Sequence, residues 1–277
     1  MKLKLWQVDA FAQRPLSGNP AAVVPLLDWL GDSQLQAIAN ENNLAETAFF
    51  IPRGSEFFDL RWFTPAMEVP LCGHATLASA WVIFSEFAPE LAEARFTTKS
   101  GVLTVTKGKD GNHLMALPAS TVEPFLAPSG LAKKLAECLG TEPPAELHFS
   151  PKGAGGAAGL VGVWPEASLR AMRPSGDLSL VLARSGASGL IATAKGDGAP
   201  YDFLSRFFAP SMGVTEDPVT GSANSALTKF WAKRLKKRSL RVYQASPRGG
   251  DLLCTDDGER IILSGPCALY MRGEIQI

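Results

Sequence analysis

Cysteine and histidine are scarce. The chain of 277 residues holds four cysteines (Cys72, Cys138, Cys254 and Cys267) and three histidines. Four thiols scattered this widely cannot staple a chain of this length. No cysteine pair has metal-ligand spacing, and the three histidines lie far apart, so neither a structural metal nor a cofactor is expected. Long apolar runs are missing as well: nothing approaches the roughly 18 residues of a membrane span, and the stretch from Ala21 to Leu27 is broken by Pro25. Asp9 interrupts the first apolar segment, which argues against a secretory leader. Charge of one sign is also lacking, because Lys plus Arg and Asp plus Glu both number 27. No global field recruits nucleic acid or an anionic membrane. The expectation is a cytoplasmic protein without nucleic-acid or membrane partners.

What the chain does have is apolar substance, at 46% hydrophobic and 19% charged residues, and enough length for two domains. It also has an internal echo. Arg61-Trp-Phe-Thr-Pro-Ala-Met-Glu-Val69 matches Arg206-Phe-Phe-Ala-Pro-Ser-Met-Gly-Val214 at five of nine positions, offset by 145. Soon after each comes a glycine opening a helix-like stretch, Gly73-His74-Ala75 and Gly221-Ser222-Ala223, now offset by 148. Two echoes in one order, the second copy three residues longer within 215–220, indicate a duplicated domain.

Period-2 alternation and β-branched or aromatic enrichment predict strands at 3–11, 47–52, 57–63, 95–100, 102–107 and 113–117. In the second half they predict strands at 160–164, 180–183, 190–193, 202–209, 240–244, 252–255, 260–263 and 268–272. Helices are expected at 33–40, 73–87, 131–139 and 222–235. The helix at 73–87 is too rich in Ala, Leu, Val and Trp for a surface and should be buried, wrapped by strands.

The two echoed helix starts are the strongest chemical feature. Helix N-termini present unpaired N–H groups and a positive dipole end, which favour anions. If the two halves form a pseudo-symmetric pair, both ends could serve one small carboxylate; the plainer reading is two capped helices with Ser222 as N-cap. His74, in a first helical turn, is expected to be neutral. His113 and His148 are read as structural. Glu46 lies among small and apolar neighbours that could raise its pKa toward the range used in acid–base work, although a solvent-facing strand-edge glutamate would look the same. Asp217 precedes the second helix start and could orient His74 or a substrate, or simply satisfy a turn.

These residues also carry a resemblance. Asn19-Pro-Ala-Ala-Val23, Asn43-Leu-Ala-Glu-Thr47, Arg61-Trp-Phe-Thr-Pro65, Leu71-Cys-Gly-His-Ala-Thr76 and Glu216-Asp-Pro-Val-Thr-Gly-Ser-Ala223 occur in the order found in the PhzF (phenazine biosynthesis protein F-like) family. The match spans essentially the whole chain. The resemblance implies a diaminopimelate-epimerase-like α+β fold: two similar domains, each a mostly antiparallel β-barrel around a central α-helix, with the active site between them, often in a homodimer. The domains would be 1–118, with a strand at about 266–277 returning to the first, and 119–265. It also implies a cofactor-independent isomerase that shifts a proton on a small carboxylate. Glu46 would carry the proton. His74, Asp217 and Ser222 would position the substrate, and the amides of Gly73, Gly221 and Ser222, with Asn19, would bind it. Two departures stand out: Pro70 replaces a common acidic residue, and Asn224-Ser225 replaces a common His-Cys. Both bear on substrate shape.

Two rival readings remain on this fold. A two-cysteine racemase would need a partner thiol for Cys72, and residues 139–253 contain no cysteine. A binding scaffold on the same fold would keep the residues without turnover. The glycine-rich stretch 153–159 fits a dinucleotide pattern only loosely, because a strand rather than a helix follows, and is read as a flexible loop. The basic run 233–238 reads as the solvated end of a helix. No G-x-S-x-G elbow occurs, which leaves a serine hydrolase without support.

Overall fold

The computed structural model describes the backbone of residues 1–277 and the side chains of all but Asp110 and Ala154. The chain divides into unit 1, Met1–Ala116 with Ser264–Ile277, and unit 2, Leu117–Leu263.

Unit 1 runs β1 (Lys2–Ala10), β2 (Asn19–Pro25), α1 (Asp32–Asn42), β3 (Glu46–Pro52), β4 (Phe57–Phe63), β5 (Glu68–Val69), α2 (Gly73–Val82), β6 (Glu93–Thr98), β7 (Gly101–Lys107) and β8 (Asn112–Pro118). Unit 2 holds β9 (Glu123–Pro124), α3 (Leu131–Leu139), β10 (Glu146–Ala154), β11 (Ala157–Val163), α4 (Glu166–Ala171), α5 (Leu178–Ser185), β12 (Gly189–Lys195), β13 (Phe203–Ala209), β14 (Val214–Asp217), α6 (Gly221–Leu235), β15 (Ser239–Gln244) and β16 (Gly250–Asp257). The last strand, β17 (Arg260–Gln276), leaves unit 2 and ends in unit 1.

In unit 1 the strand order is β17–β1–β2–β3–β4–β6–β7–β8, and pairing of β8 with β17 closes an eight-stranded barrel. Two neighbours are parallel, β2 with β3 and β4 with β6. α2 runs through the interior: its sequence has no Asp, Glu, Lys or Arg, and every residue from His74 to Ala80 is buried. A helix apolar all round has nowhere else to go. Leu77 is fully buried, and its truncation to Ala would cost about 2–5 kcal/mol. α1 is the opposite case, turning only Leu35, Ile38 and Ala39 inward onto Leu5, Val24 and Phe49.

Unit 2 repeats the plan. β10 and β11 are antiparallel, β11 and β12 parallel, β12 and β13 antiparallel, β13 and β15 parallel, β15 and β16 antiparallel. The echoed arginines do the same job twice. Arg61 grips Glu68 through two hydrogen bonds of 2.8 and 2.9 Å and lies over the Phe63 ring. Arg206 grips Glu216 at 2.7 and 2.8 Å and lies over Phe208. Seven residues separate Arg61 from Glu68 and ten separate Arg206 from Glu216. The three extra residues of the second copy therefore lie between arginine and glutamate, ahead of Glu216, and not within 215–220 as the echo alone placed them.

Several expectations need correction. Residues 180–183 belong to a helix, α5, because Leu178, Val181, Leu182 and Ser185 put their buried side chains on one helical face before Gly186 ends it with φ 75°. The stretch 153–159 is a hairpin, with Gly155 and Gly156 at φ 64° and 94° making the tight turn between β10 and β11. The segments 260–263 and 268–272 are one strand of 17 residues, which passes through Ser264-Gly-Pro-Cys267 without a break. β2, flanked by Pro20 and Pro25, had no alternation to reveal it, since both its faces are covered. The buried helix at 73–87 is α-helical only to Val82 and finishes in a π turn, Ile83–Phe87. Among the described residues, no helix is long and apolar enough to cross a membrane.

Candidate active site

Unit 1 gathers three residues, Asn19, Glu46 and Cys72, around the His74 imidazole. Asn43, in the left-handed conformation at φ 47°, caps α1 and reverses the chain, so that Glu46 becomes the first residue of β3. Gly18, at φ 62°, sits where a Cβ would lie 2.2 Å from the Ala10 carbonyl oxygen; this close turn delivers Asn19 to the start of β2. Cys72 is the N-cap of α2, and His74 is its second helical residue. Asn19 Nδ2 lies 3.2 Å from His74 Nδ1, Cys72 Sγ lies 3.5 Å from the same nitrogen, and Glu46 Oε2 lies 3.0 Å from Nε2 on the other edge of the ring.

That last contact has the distance of an ion pair, yet neither Oε2 nor Nε2 completes a hydrogen bond of acceptable direction. Both atoms are buried. A buried carboxylate oxygen and a buried ring nitrogen facing each other with unspent hydrogen-bonding capacity are the mark of a proton-handling site rather than a structural pair. Burial pushes the imidazole down, but the Cys72 sulfur and the Glu46 carboxylate outweigh it and hold His74 well above its ordinary value. Burial also pushes the Cys72 thiol up to about 11. The raised His74 value runs against the neutral imidazole expected from the helix dipole. The Asn19 amide suits either state. It donates to an unprotonated Nδ1 as drawn, and with its amide turned over it would accept from a protonated one.

Glu46, Cys72 and His74 offer donor atoms within 4.8 Å of one another. Their chemistry suits a metal poorly. Glu46 and Cys72 face opposite ring nitrogens, so an ion on either nitrogen would have only one of them beside it.

Unit 2 builds its own helix start differently. Thr220, not Ser222, is the N-cap of α6, with Gly221 and Ser222 in the first turn. Asp217 ends β14, and its Oδ2 is 2.5 Å from Thr220 Oγ1. Ser222 Oγ accepts a hydrogen bond from the Gly155 amide at the tip of the β10–β11 hairpin, at 2.9 Å. The first ladder bonds of α2 and α6 come from the Thr76 and Asn224 amides, so the N–H groups of residues 73–75 and 221–223 stand ahead of each ladder. Gly73 and Gly221 keep these ends uncrowded: a Cβ would come within 3.1 Å of Met115 Cε and 3.2 Å of Leu263 Cδ1 respectively.

The remaining polar features are local. His113 is stacked on Phe84, and burial followed by the Lys107 charge holds it down at about 4. His148, expected to lack partners, contacts Glu146 at 2.7 Å, and Arg234 grips the same carboxylate at 2.6 and 2.9 Å. A groove of about 830 Å³ lined by Lys229, Lys233, Arg234, Lys236, Lys237 and Arg238 contains none of the proposed catalytic residues. Asn224, noted as a departure, is fully buried inside α6. Sequence reasoning missed Gln244, whose side chain joins Asp217, Thr220 and Asn224 from the end of β15.

The model of the PhzC-PhzF family, phenazine biosynthesis-like proteins, matches residues 8–273. This chain belongs to that family. The match leaves only the extreme ends of the chain uncovered. An uncharacterised isomerase of Pseudomonas aeruginosa is 44% identical over the full length of both proteins. The human phenazine biosynthesis-like domain-containing protein is 38% identical, covering 99% of each chain. Among solved structures, a PhzF family protein of Enterococcus faecalis superposes with a TM-score of 0.89 at 38% identity over all of both chains. A hydroxyproline epimerase of Agrobacterium vitis shares the fold alone, with a TM-score of 0.62 at 12% identity. The fold is the α+β epimerase-like one of this family.

Proposed function

We propose that this family member is an isomerase that moves a proton on a small cyclic or unsaturated carboxylate by general acid–base catalysis, with Glu46 as the proton carrier. The observation that carries the proposal is the pair of buried, incompletely bonded atoms, Glu46 Oε2 and His74 Nε2, 3.0 Å apart. The His74 ring faces the carboxyl group and holds it in place while a substrate C–H is presented. Glu46 then takes that proton, and the same carboxyl group returns it to another carbon. No redox change occurs, and the electron pair stays within the substrate.

The supporting chemistry is distributed. The amides at 73–75 and 221–223 favour a carboxylate or the charge that develops as the C–H bond breaks. Asn19 holds the His74 ring, and Asp217 and Ser222 offer an acceptor and a hydroxyl to the polar groups of a substrate. The naming of several relatives as isomerases agrees with this reading.

The test is deuterium uptake from heavy water into a panel of cyclic amino and hydroxy acids, with Glu46→Gln as the comparison. Wild-type protein should label at least one acid at carbon, and Glu46→Gln should not. Equal labelling by both would remove Glu46 from the mechanism. No labelling together with tight binding of a purified protein partner would point to a scaffold instead.

A further inference from the structure

Gln244 ends β15, is fully buried, and uses every hydrogen-bonding position that its amide has. Oε1 accepts from the Thr220 amide at 2.8 Å and from Asn224 Nδ2 at 2.9 Å. Nε2 donates to the Asp217 carbonyl at 2.8 Å and to Thr220 Oγ1 at 3.1 Å. A side-chain amide has two N–H donors and a carbonyl with two lone pairs, so this one is full. Its orientation is therefore fixed, because exchanging O for N would set donors against the Thr220 and Asn224 N–H groups.

The proton positions follow. Thr220 Oγ1 accepts from Gln244, so its own hydrogen goes to Asp217 Oδ2 at 2.5 Å. Asn224 extends the network, donating to the Thr220 carbonyl at 3.0 Å and accepting from Ser205 Oγ at 2.8 Å. Meanwhile α6 has no side-chain cap of its own. A residue from another strand takes that part, and the turn 217–220 it holds leads directly into Gly221 and Ser222.

We propose that Gln244 is a positioning residue for the isomerase reaction: through Thr220 it keeps the Asp217 carboxylate a hydrogen-bond acceptor, and through the turn it fixes the α6 N-terminal amides. This rests on the proposed function, so one of its tests needs no substrate. Backbone hydrogen exchange at residues 219–223 should quicken about tenfold or more in Gln244→Met, with the rest of α6 and β15 as protected as in wild type. Thr220→Val, a lighter cut of the same network and close in shape, should quicken those amides about threefold. In the labelling assay both variants should lose about tenfold or more in kcat/KM, and Thr220→Ser, which keeps the hydroxyl, should restore it. Val181→Ala, a core change outside the network, should leave kcat/KM within about twofold.

Unchanged exchange at 219–223, protection lost evenly across unit 2, or a Val181→Ala defect equal to that of Thr220→Val would overturn the proposal. Should Gln244→Met fail to fold, the Thr220→Val and Thr220→Ser pair decides. If wild type labels no acid, the exchange experiment still judges Gln244, and the failure belongs to the proposed function.

Discussion

The two units follow one strand plan and carry the same arginine–glutamate brace, but among the described residues only unit 1 sets a buried, incompletely bonded carboxylate–imidazole pair at its echoed helix start; the Glu146–His148 pair of unit 2 is tied up by Arg234. The pairing register shows where they part. Phe49 faces Arg61 and Ala192 faces Arg206, so Phe49 and Ala192 are equivalent, and three residues earlier Glu46 corresponds to Gly189. By the second echo, His74 corresponds to Ser222 and Cys72 to Thr220. At these three positions unit 1 has a carboxyl group, an imidazole and a thiol where unit 2 has a glycine and two hydroxyls. Gly189 is packed against Phe207, where a Cβ would meet the ring at 2.9 Å. The position equivalent to Glu46 has no room for a side chain.

The largest effect that sharpens this contrast is expected from Glu46→Gln, which should lower proton exchange by about 10²–10⁴-fold while carboxylate binding, followed by calorimetry, changes little. A comparable loss from Ser222→Ala would break the contrast, since a hydroxyl that only hydrogen-bonds should matter far less. Next come the braces. Arg206 is 4% exposed and also donates to the Leu169 and Met172 carbonyls, whereas Arg61 is 18% exposed. Arg206→Met should cost about 3–5 kcal/mol and Arg61→Met about 1.5–3, as read from urea midpoints. The reverse ranking would show that the braces are not equivalents differing in burial. Gly189→Ala should cost about 1–3 kcal/mol through overpacking, with no effect on the Glu46 reaction.

The smallest effect concerns pH. The Arg61 hydrogen bond, opposed by burial and helped by Lys99, holds Glu68 down at about 2, against an ordinary 4.5. A depressed carboxylate stabilises the fold above its unfolded pKa and loses that contribution as pH falls through its folded pKa. Glu68→Gln should therefore melt about 2–4 °C below wild type near neutrality, and the two curves should converge between pH 4.5 and about 2. A gap that persists at pH 2 would mean that Glu68 acts by packing rather than by charge.

Much of this arrangement was legible in the residues. The duplication was written in the Arg61 and Arg206 segments, and the helix starts at Gly73 and Gly221 followed from it. Other features were not, for physical reasons. The charge state of His74 depends on Glu46, 28 positions earlier in the chain, and no local pattern announces a 3.0 Å contact. The helix at α5 is short, and four apolar-looking residues cannot distinguish period 2 from period 3.6. Gln244 shows no signal at all: it closes an ordinary strand, and its meaning lies in partners 20 to 27 residues away.

The route of β17 has a consequence for how the molecule comes into being. Unit 2 is one continuous segment, Leu117–Leu263, whereas unit 1 lacks its last barrel strand until Ser264–Ile277 has followed. On a ribosome the later-encoded half can therefore finish first. The earlier half waits as an open sheet, its β1 edge unsealed, until Ser264–Ile277 emerges. The strands that bear Glu46 and enclose His74 are then made before unit 2 yet secured after it, so the Glu46–His74 contact should settle only once Ser264–Ile277 has joined the barrel.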